Sequence, residues 1–255
     1  MAQKPKALIT GATSGIGLCF AISLAGSGHD LILVARNANR LANVAVDITA
    51  KFGVSCQVVP ADLSTIAGVD IVLREATGID VLIANAGFTR AARIGESSAD
   101  DVDSLLCLLA GGIIRMIERV APEMRARKSG CIVVVSSIAA FIPMPKSAVY
   151  AAAKASITSY ALSAHHELKS SGVKVIVVNP GYVRTGLHRA SGLEHLERRI
   201  PRWLWIDPET VVRCVDKGLA LGRGSVVPGI VYRVAKPFLS SSVAQRLWRR
   251  IAQRR

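Results

Sequence analysis

Residues 6–17 read Lys6-Ala7-Leu8-Ile9-Thr10-Gly11-Ala12-Thr13-Ser14-Gly15-Ile16-Gly17. The first five are apolar at the centre with no polar alternation, as in a strand buried on both faces of a parallel sheet. The glycines follow at once in the pattern G-x-x-x-G-x-G, and Leu18 to Ser27 then read as a helix ended by Gly28. Strand, glycine-rich turn and helix in this order form the first half of a dinucleotide fold. The glycines let the backbone approach a pyrophosphate, and the helix N-terminus attracts its charge. Glycines alone serve most often as plain turns. Their place between a strand and a helix makes Gly11, Thr13, Ser14, Gly15, Ile16 and Gly17 candidate cofactor residues.

Outward from this turn, strands and helices alternate. Strands are predicted at Asp30–Ala35, Ser55–Pro60, Asp80–Ala84, Cys131–Val135 and Val173–Val178, with a last one at Ser225–Pro228. Helices are predicted at Leu41–Phe52, Val69–Ala76, Ser98–Arg127 and from Tyr150 to about Ser171. Gly111-Gly112 inside the long helix lowers its local stability by ~1 kcal/mol per glycine and permits close helix packing. The pattern predicts an α/β fold: a single Rossmann-type domain with a doubly wound parallel sheet and helices on both faces. Ligands bind such sheets outside the strand carboxyl ends. Gly11, Asp62, Asn85, Ser137 and Pro180 all fall at or just after such ends.

Arg36 ends the second strand, and Ala35, Arg36 and Asn37 include no acid. An acid there holds a ribose 2′-hydroxyl, whereas an arginine suits a 2′-phosphate. NADP(H) is therefore favoured, with NAD(H) as the alternative. The plainer reading has Arg36 beginning a solvated helix. Asp62, with Leu63 beside it, either meets an adenine amino group or caps the next turn. Asn85 reads most simply as a sheet-end turn residue.

Tyr150 and Lys154 are separated by Ala151-Ala152-Ala153 and share one helix face. A lysine ammonium beside a phenol lowers the phenol pKa and suits it to acid–base work. A chance pair on a surface helix is the alternative for these two residues alone.

The 255 residues suit one α/β domain with a full core. Hydrophobic residues make up 51%, which excludes disorder. No apolar run reaches the ~18 residues of a membrane span, and the start lacks a signal-peptide pattern, so the expected location is cytoplasmic. Cys19, Cys56, Cys107, Cys131 and Cys214 are scattered, with neither disulfide nor zinc spacing, and are expected to be mostly buried free thiols. The formal net charge is +14. It points to nucleic acid, an anionic membrane surface or acidic substrates.

Taken together, the motifs resemble the short-chain dehydrogenase/reductase family. The resemblance runs from residue 5 to about 185 and rests on Thr10 to Gly17, Asn85-Ala86-Gly87, Ser137, the Tyr150/Lys154 pair, and Pro180-Gly181 with Val183 and Thr185. It implies an oxidoreductase that moves hydride between NADPH and a carbonyl or secondary alcohol. Tyr150 would be the acid and base, Ser137 the donor to the carbonyl oxygen, and Lys154 the residue that tunes Tyr150 and holds the nicotinamide ribose. Pro180, Gly181, Val183 and Thr185 would hold the carboxamide. A homodimer or homotetramer is implied as well.

One position departs from the family pattern. Leu109 stands where the family usually carries an asparagine that supports a proton-relay water, and leucine neither donates nor accepts. The alternative function is thus a cofactor-binding protein with impaired catalysis.

The resemblance further implies a substrate lid over residues 186–206. Its His188, Arg189, Arg198, Arg199, Arg202, Trp203 and Trp205 suit an anionic, partly apolar substrate such as an acyl thioester, or equally a solvated helix with two tryptophans packed on the core. The main domain is set at 1–235 and a basic amphipathic tail at 236–255, where apolar residues alternate with arginines and no acid occurs. Such a tail either lies on anionic lipid or docks on its own domain or another subunit. No nucleic-acid motif is present.

Overall fold

The protein is described here by a computed structural model covering residues 4–185 and 200–239. The strands are β1 (Lys6–Thr10), β2 (Asp30–Ala35), β3 (Cys56–Pro60), β4 (Val81–Ala84), β5 (Gly130–Val135), β6 (Val173–Val178) and β7 (Ser225–Val226). They form one seven-stranded sheet in the order β3-β2-β1-β4-β5-β6-β7. Every pairing is parallel. The doubly wound α/β architecture expected from the sequence is therefore present. The strand order reverses between β1 and β4, and this is where such sheets open a ligand crevice.

Parallel register explains why these strands carry no polar alternation. Leu8, Ile32, Leu82, Ile132 and Val175 form one row across the sheet. They pack under Val69, Met116 and Ile157 in one helical layer. Their neighbours Ile9, Leu33, Ile83, Val133 and Ile176 form the opposite row, packed on Phe20, Ile48 and Val211. Each such fully buried side chain stabilises the fold by about 1.5–3 kcal/mol.

The first layer holds α3 (Ile66–Glu75), α4 (Ala99–Leu106), α5 (Gly112–Ala126) and α6 (Ala148–Lys169). The second holds α1 (Gly15–Gly26), α2 (Ala38–Phe52) and α7 (Pro208–Ala220). The last described helix is α8 (Ile230–Leu239), which runs across position 235. Residues 186–199 of the expected lid and 240–255 of the expected tail lie outside the described residues.

Several boundaries differ from the sequence reading. Helix α1 starts at Gly15, inside the glycine turn. Helix α2 starts at Ala38, where Asn37 accepts from Arg40 N–H, so Arg36 precedes the helix. Helix α6 starts two residues before Tyr150. The single helix predicted at Ser98–Arg127 is two helices joined by a π-helical turn at Cys107–Gly111. Gly112 donates back to the Cys107 carbonyl there. It also packs against α3, since a Cβ would lie 2.9 Å from Val69 Cγ2. The cysteines are unpaired, but each keeps partial exposure instead of being buried. Cys19 stands on the rim of α1 beside Glu209, and Cys131 lies at the start of β5.

Gly68 has a different constraint. It sits in the first turn of α3, where its N–H donates to Thr65 Oγ1, and a Cβ there would lie 1.9 Å from the Asp62 carbonyl oxygen. Because that neighbour is backbone, the turn has to move to admit a methyl group. Gly68→Ala should therefore destabilise the protein by about 1–3 kcal/mol, read as a lower urea midpoint at an unchanged slope.

Candidate active site

The carboxyl ends of β1 and β4 are joined by Thr10, whose side chain is buried. Its hydroxyl donates to the Ile83 carbonyl at 3.3 Å and accepts from the N–H groups of Asn85 (2.9 Å) and Ala86 (3.0 Å). Asn85 Nδ2 donates in turn to the carbonyls of Thr10 (2.9 Å) and Gly11 (3.4 Å). Asn85 is thus more than a turn residue: it holds the glycine loop in place.

That loop fits a dinucleotide phosphate. Gly11 and Gly15 have φ of 68° and 55°, a backbone region costly for side-chain-bearing residues. Gly17 backs directly onto the loop, where a Cβ would lie 2.3 Å from the Gly11 carbonyl oxygen. Ser14 precedes α1 with no side-chain cap, and the first turn of α1 carries no acid. The positive end of the helix is thus left for an anion. Thr13 and Ser14 are partly exposed beside it, and Ile16 anchors the turn in the core. A Cβ on Gly15 would lie 2.6 Å from Thr185 Cγ2, so the segment after β6 closes over the same loop.

At the next sheet end, Ala61 N–H donates to the Ala35 carbonyl and brings Asp62 beside Arg36. Arg36 is exposed, with its guanidinium 5.9 Å above the Phe88 ring. Among the described residues no carboxylate pairs with it. Asp62 accepts from Ser64 N–H (3.0 Å) and Ser64 Oγ (2.7 Å), which is the turn role foreseen for it, and Leu63 is buried.

Ser137 lies two residues beyond β5 and caps a 3-10 turn, Ile138–Phe141, accepting from Ala139 N–H at 3.1 Å. Its hydroxyl stands near enough to the Tyr150 phenol to favour the phenolate. Burial pushes that phenol above its ordinary pKa, and the Ser137 contact offsets the rise only in part. This reverses the direction expected from the sequence. Lys154 Nζ is turned toward the Val135 carbonyl, to which it donates at 2.8 Å, and lies 5.9 Å from the Tyr150 ring centroid. Desolvation, acting on both groups, disfavours the phenolate and the ammonium alike. Lys154 is 4% exposed, and its burial pulls the ammonium down to about 8. Gly87 lies alongside: a Cβ there would meet Leu109 Cδ2 at 3.1 Å and Lys154 Nζ at 4.0 Å.

A buried polar chain fixes this end of the molecule, and the sequence reading missed it. Ser136 Oγ donates to the Lys154 carbonyl (3.0 Å) and lies 2.7 Å from Thr158 Oγ1. Thr158 Oγ1 donates to Asn179 Oδ1 (3.2 Å), and Asn179 Nδ2 to Ser225 Oγ (3.3 Å). The available signal was Thr158 four residues after Lys154, with Ser136 and Asn179 at strand ends. Tyr232 was missed too. Its ring occupies the space a Gly181 side chain would need, while its hydroxyl donates to the Leu204 carbonyl (2.6 Å) and accepts from Tyr182 N–H (3.2 Å). Pro180 accepts from Ile138 N–H at 3.0 Å, and Val183 bridges to Ile206.

The two tryptophans, read from sequence either as part of a substrate grip or as packed on the core, differ in their surroundings. Trp205 packs beside the Tyr182 ring at 5.6 Å, whereas Trp203 is 67% exposed. A cleft of about 180 Å³, lined by Ile94, Val102, Leu105, Ser147 and Val149, opens beside the start of α6. A wider open cleft of about 420 Å³ at Asp70, Arg74 and Arg119 contains none of the predicted site residues.

Comparison with known proteins gives a consistent picture. The family profile described as short chain dehydrogenase matches residues 5–195. An uncharacterized oxidoreductase of Staphylococcus epidermidis is 30% identical over 197 residues, covering 76% of this chain and 83% of the relative. The solved short-chain dehydrogenase from Sphingobium yanoikuyae in complex with NADPH is 31% identical, with a TM-score of 0.81, covering 89% of this chain and 88% of that one. The L-sorbose reductase of Gluconobacter frateurii, solved with NADPH and L-sorbose, is 28% identical, with a TM-score of 0.76, covering 89% of this chain and 97% of that one.

A buried lysine held near 8 makes stability depend on pH. The unfolded lysine keeps its proton up to about 10.4, so between about 8 and 10 the unfolded state binds more protons. Stability therefore rises with pH in that window. Lys154→Met removes this contribution. The stability of the unliganded wild type relative to Lys154→Met should improve by about 1–3 kcal/mol from pH 8 to pH 10, measured by urea melts at each pH.

Proposed function

The chain belongs to the short-chain dehydrogenase family, and from that premise we propose that it transfers hydride between NADP(H) and a carbonyl or secondary alcohol, with Tyr150 as acid and base. The observation that carries this reading is the clustering of Ser137, Tyr150 and buried Lys154 at the sheet end that also carries the glycine loop. The nicotinamide, when bound, supplies the hydride. Gly11, Thr13, Ser14, Gly15, Ile16 and Gly17 would hold the pyrophosphate, and Asp62 and Leu63 the adenine. Asn85, Ala86 and Gly87 would border the ribose, and Pro180, Gly181, Val183 and Thr185 the carboxamide. Arg36, exposed and without a carboxylate partner among the described residues, suits a 2′-phosphate. The NADPH in two solved neighbours supports the same choice.

At neutral pH the raised Tyr150 pKa keeps the phenol protonated, which is the form that gives a proton to a developing alkoxide. Ser137 donates to the same oxygen and stabilises its charge. Lys154 would hold the nicotinamide ribose. The cleft at Val102, Leu105 and Val149, which Arg90 and Arg93 also line, gives a substrate a partly apolar wall at the start of α6. A homodimer or homotetramer is the proposed assembly.

Leu109 favours a second reading, a cofactor-binding protein with little turnover. It is fully buried in the π turn, where its side chain meets Gly87. It offers no polar atom toward Lys154. If Leu109→Asn consumes NADPH on a carbonyl panel that leaves the wild type inert, this second reading is the correct one.

Two outcomes check the leading reading. Tyr150→Phe should lower turnover about 100- to 10,000-fold, leaving NADPH affinity within about threefold by titration of its fluorescence. Arg36→Asp should weaken NADPH binding about 10- to 100-fold while barely changing NADH, and equal losses would exclude a phosphate contact at Arg36.

A further inference from the structure

Helix α8 turns one face inward and leaves the other bare. Tyr232 is buried against Gly181, whereas Ile230 and Val234, which share the opposite face, are 74% and 65% exposed. Arg233 is exposed beside them. Trp203 is exposed on the adjacent 3-10 turn, which Tyr232 ties to α8 through the Leu204 carbonyl. Lys236 Nζ sits 5.1 Å above the Phe141 ring, in the turn that follows Ser137. The bare apolar face therefore stands at the catalytic end of the sheet.

We propose that this surface, Trp203 with Ile230 and Val234 of α8, docks the catalytic end on an anionic lipid bilayer. The charge pattern selects that occupant. No acidic residue follows Asp216, while Lys217, Arg223, Arg233, Lys236, Arg246, Arg249, Arg250, Arg254 and Arg255 do. A second copy packed here by twofold symmetry gathers Arg202 and Arg233 of both copies into one patch. Residues 240–255 folded onto this face bring further arginines to Arg233 with no carboxylate to pair them. Aliphatic side chains and an indole, with exposed Arg202 and Arg233 on the same elements, match an interface of apolar chains under anionic headgroups. In the reductase reading, on which this extension rests, such docking sets the site against the bilayer and selects apolar carbonyl compounds that partition into lipid.

The test is co-sedimentation of the full chain with phosphatidylcholine vesicles, with and without phosphatidylglycerol, which is independent of activity. The wild type should sediment only with the anionic vesicles. Ile230→Glu/Val234→Glu, an exposed pair outside the proposed machinery, should weaken partitioning about tenfold or more while leaving turnover on a water-soluble carbonyl unchanged. Trp203→Ser should weaken it as well. The proposal is overturned if the wild type stays in solution with anionic vesicles, or if the double variant partitions as the wild type does. It also fails if the double variant converts an oligomer to monomer without changing partitioning, or if the wild type retains duplex DNA but no vesicle.

Discussion

The hydroxyl of Thr10 is the hinge on which the site depends. Strands β1 and β4 pair from Ala7↔Val81 to Ile9↔Ile83, and there the ladder stops. Beyond it the two chains must part so that a crevice can open, which strips backbone groups of their partners. Thr10 Oγ1 replaces those partners by accepting from Asn85 and Ala86 N–H and donating to the Ile83 carbonyl. A buried donor left unmet costs about 1–3 kcal/mol, so a side chain that meets two and supplies a third bond fixes where the strands separate. The glycine loop then has one course, because Gly17 lies against the Gly11 carbonyl and Asn85 holds that carbonyl in place.

The other half of the catalytic end follows the opposite logic. Lys154 is buried with a carbonyl as its hydrogen-bond partner, and burying a cation is unfavourable. The polar chain from Ser136 through Thr158 and Asn179 to Ser225 offsets this by locking α6 to the ends of β5, β6 and β7. With helix and strands fixed together, the lysine cannot relax toward water. The strain stays at the place where a charge with a movable proton is chemically useful.

The fold was legible because parallel strands buried on both sides carry unbroken apolar runs, as Leu31 to Val34 and Ile132 to Val135 do. The glycine turn and the shared helix face of Tyr150 and Lys154 were legible because each needs only local geometry. Other features depend on distant partners and left no local trace. The π-helical turn at Cys107–Gly111 sits where Gly112 packs closely on Val69 of α3, and the rise in the Tyr150 pKa comes from burial. Tyr232 could not be assigned because its meaning lies in Gly181, which leaves room for its ring. Asn85 was half legible: its place at a strand end was clear, its grip on the Gly11 carbonyl was not.

The reach of the polar chain also bears on how the molecule comes into being. Asn179 meets Ser225, 46 residues later, and Thr10 meets Asn85, 75 residues later. Synthesis runs from the N-terminus, so the glycine loop is made early but has nothing to close it until β4 follows. The lysine helix remains unlocked until Ser225 leaves the ribosome. Parallel pairings of such long sequence separation form slowly and expose apolar edges in the interval. A nucleotide that binds only the finished crevice therefore adds to the stability of completed chains and gives nothing to unfinished ones.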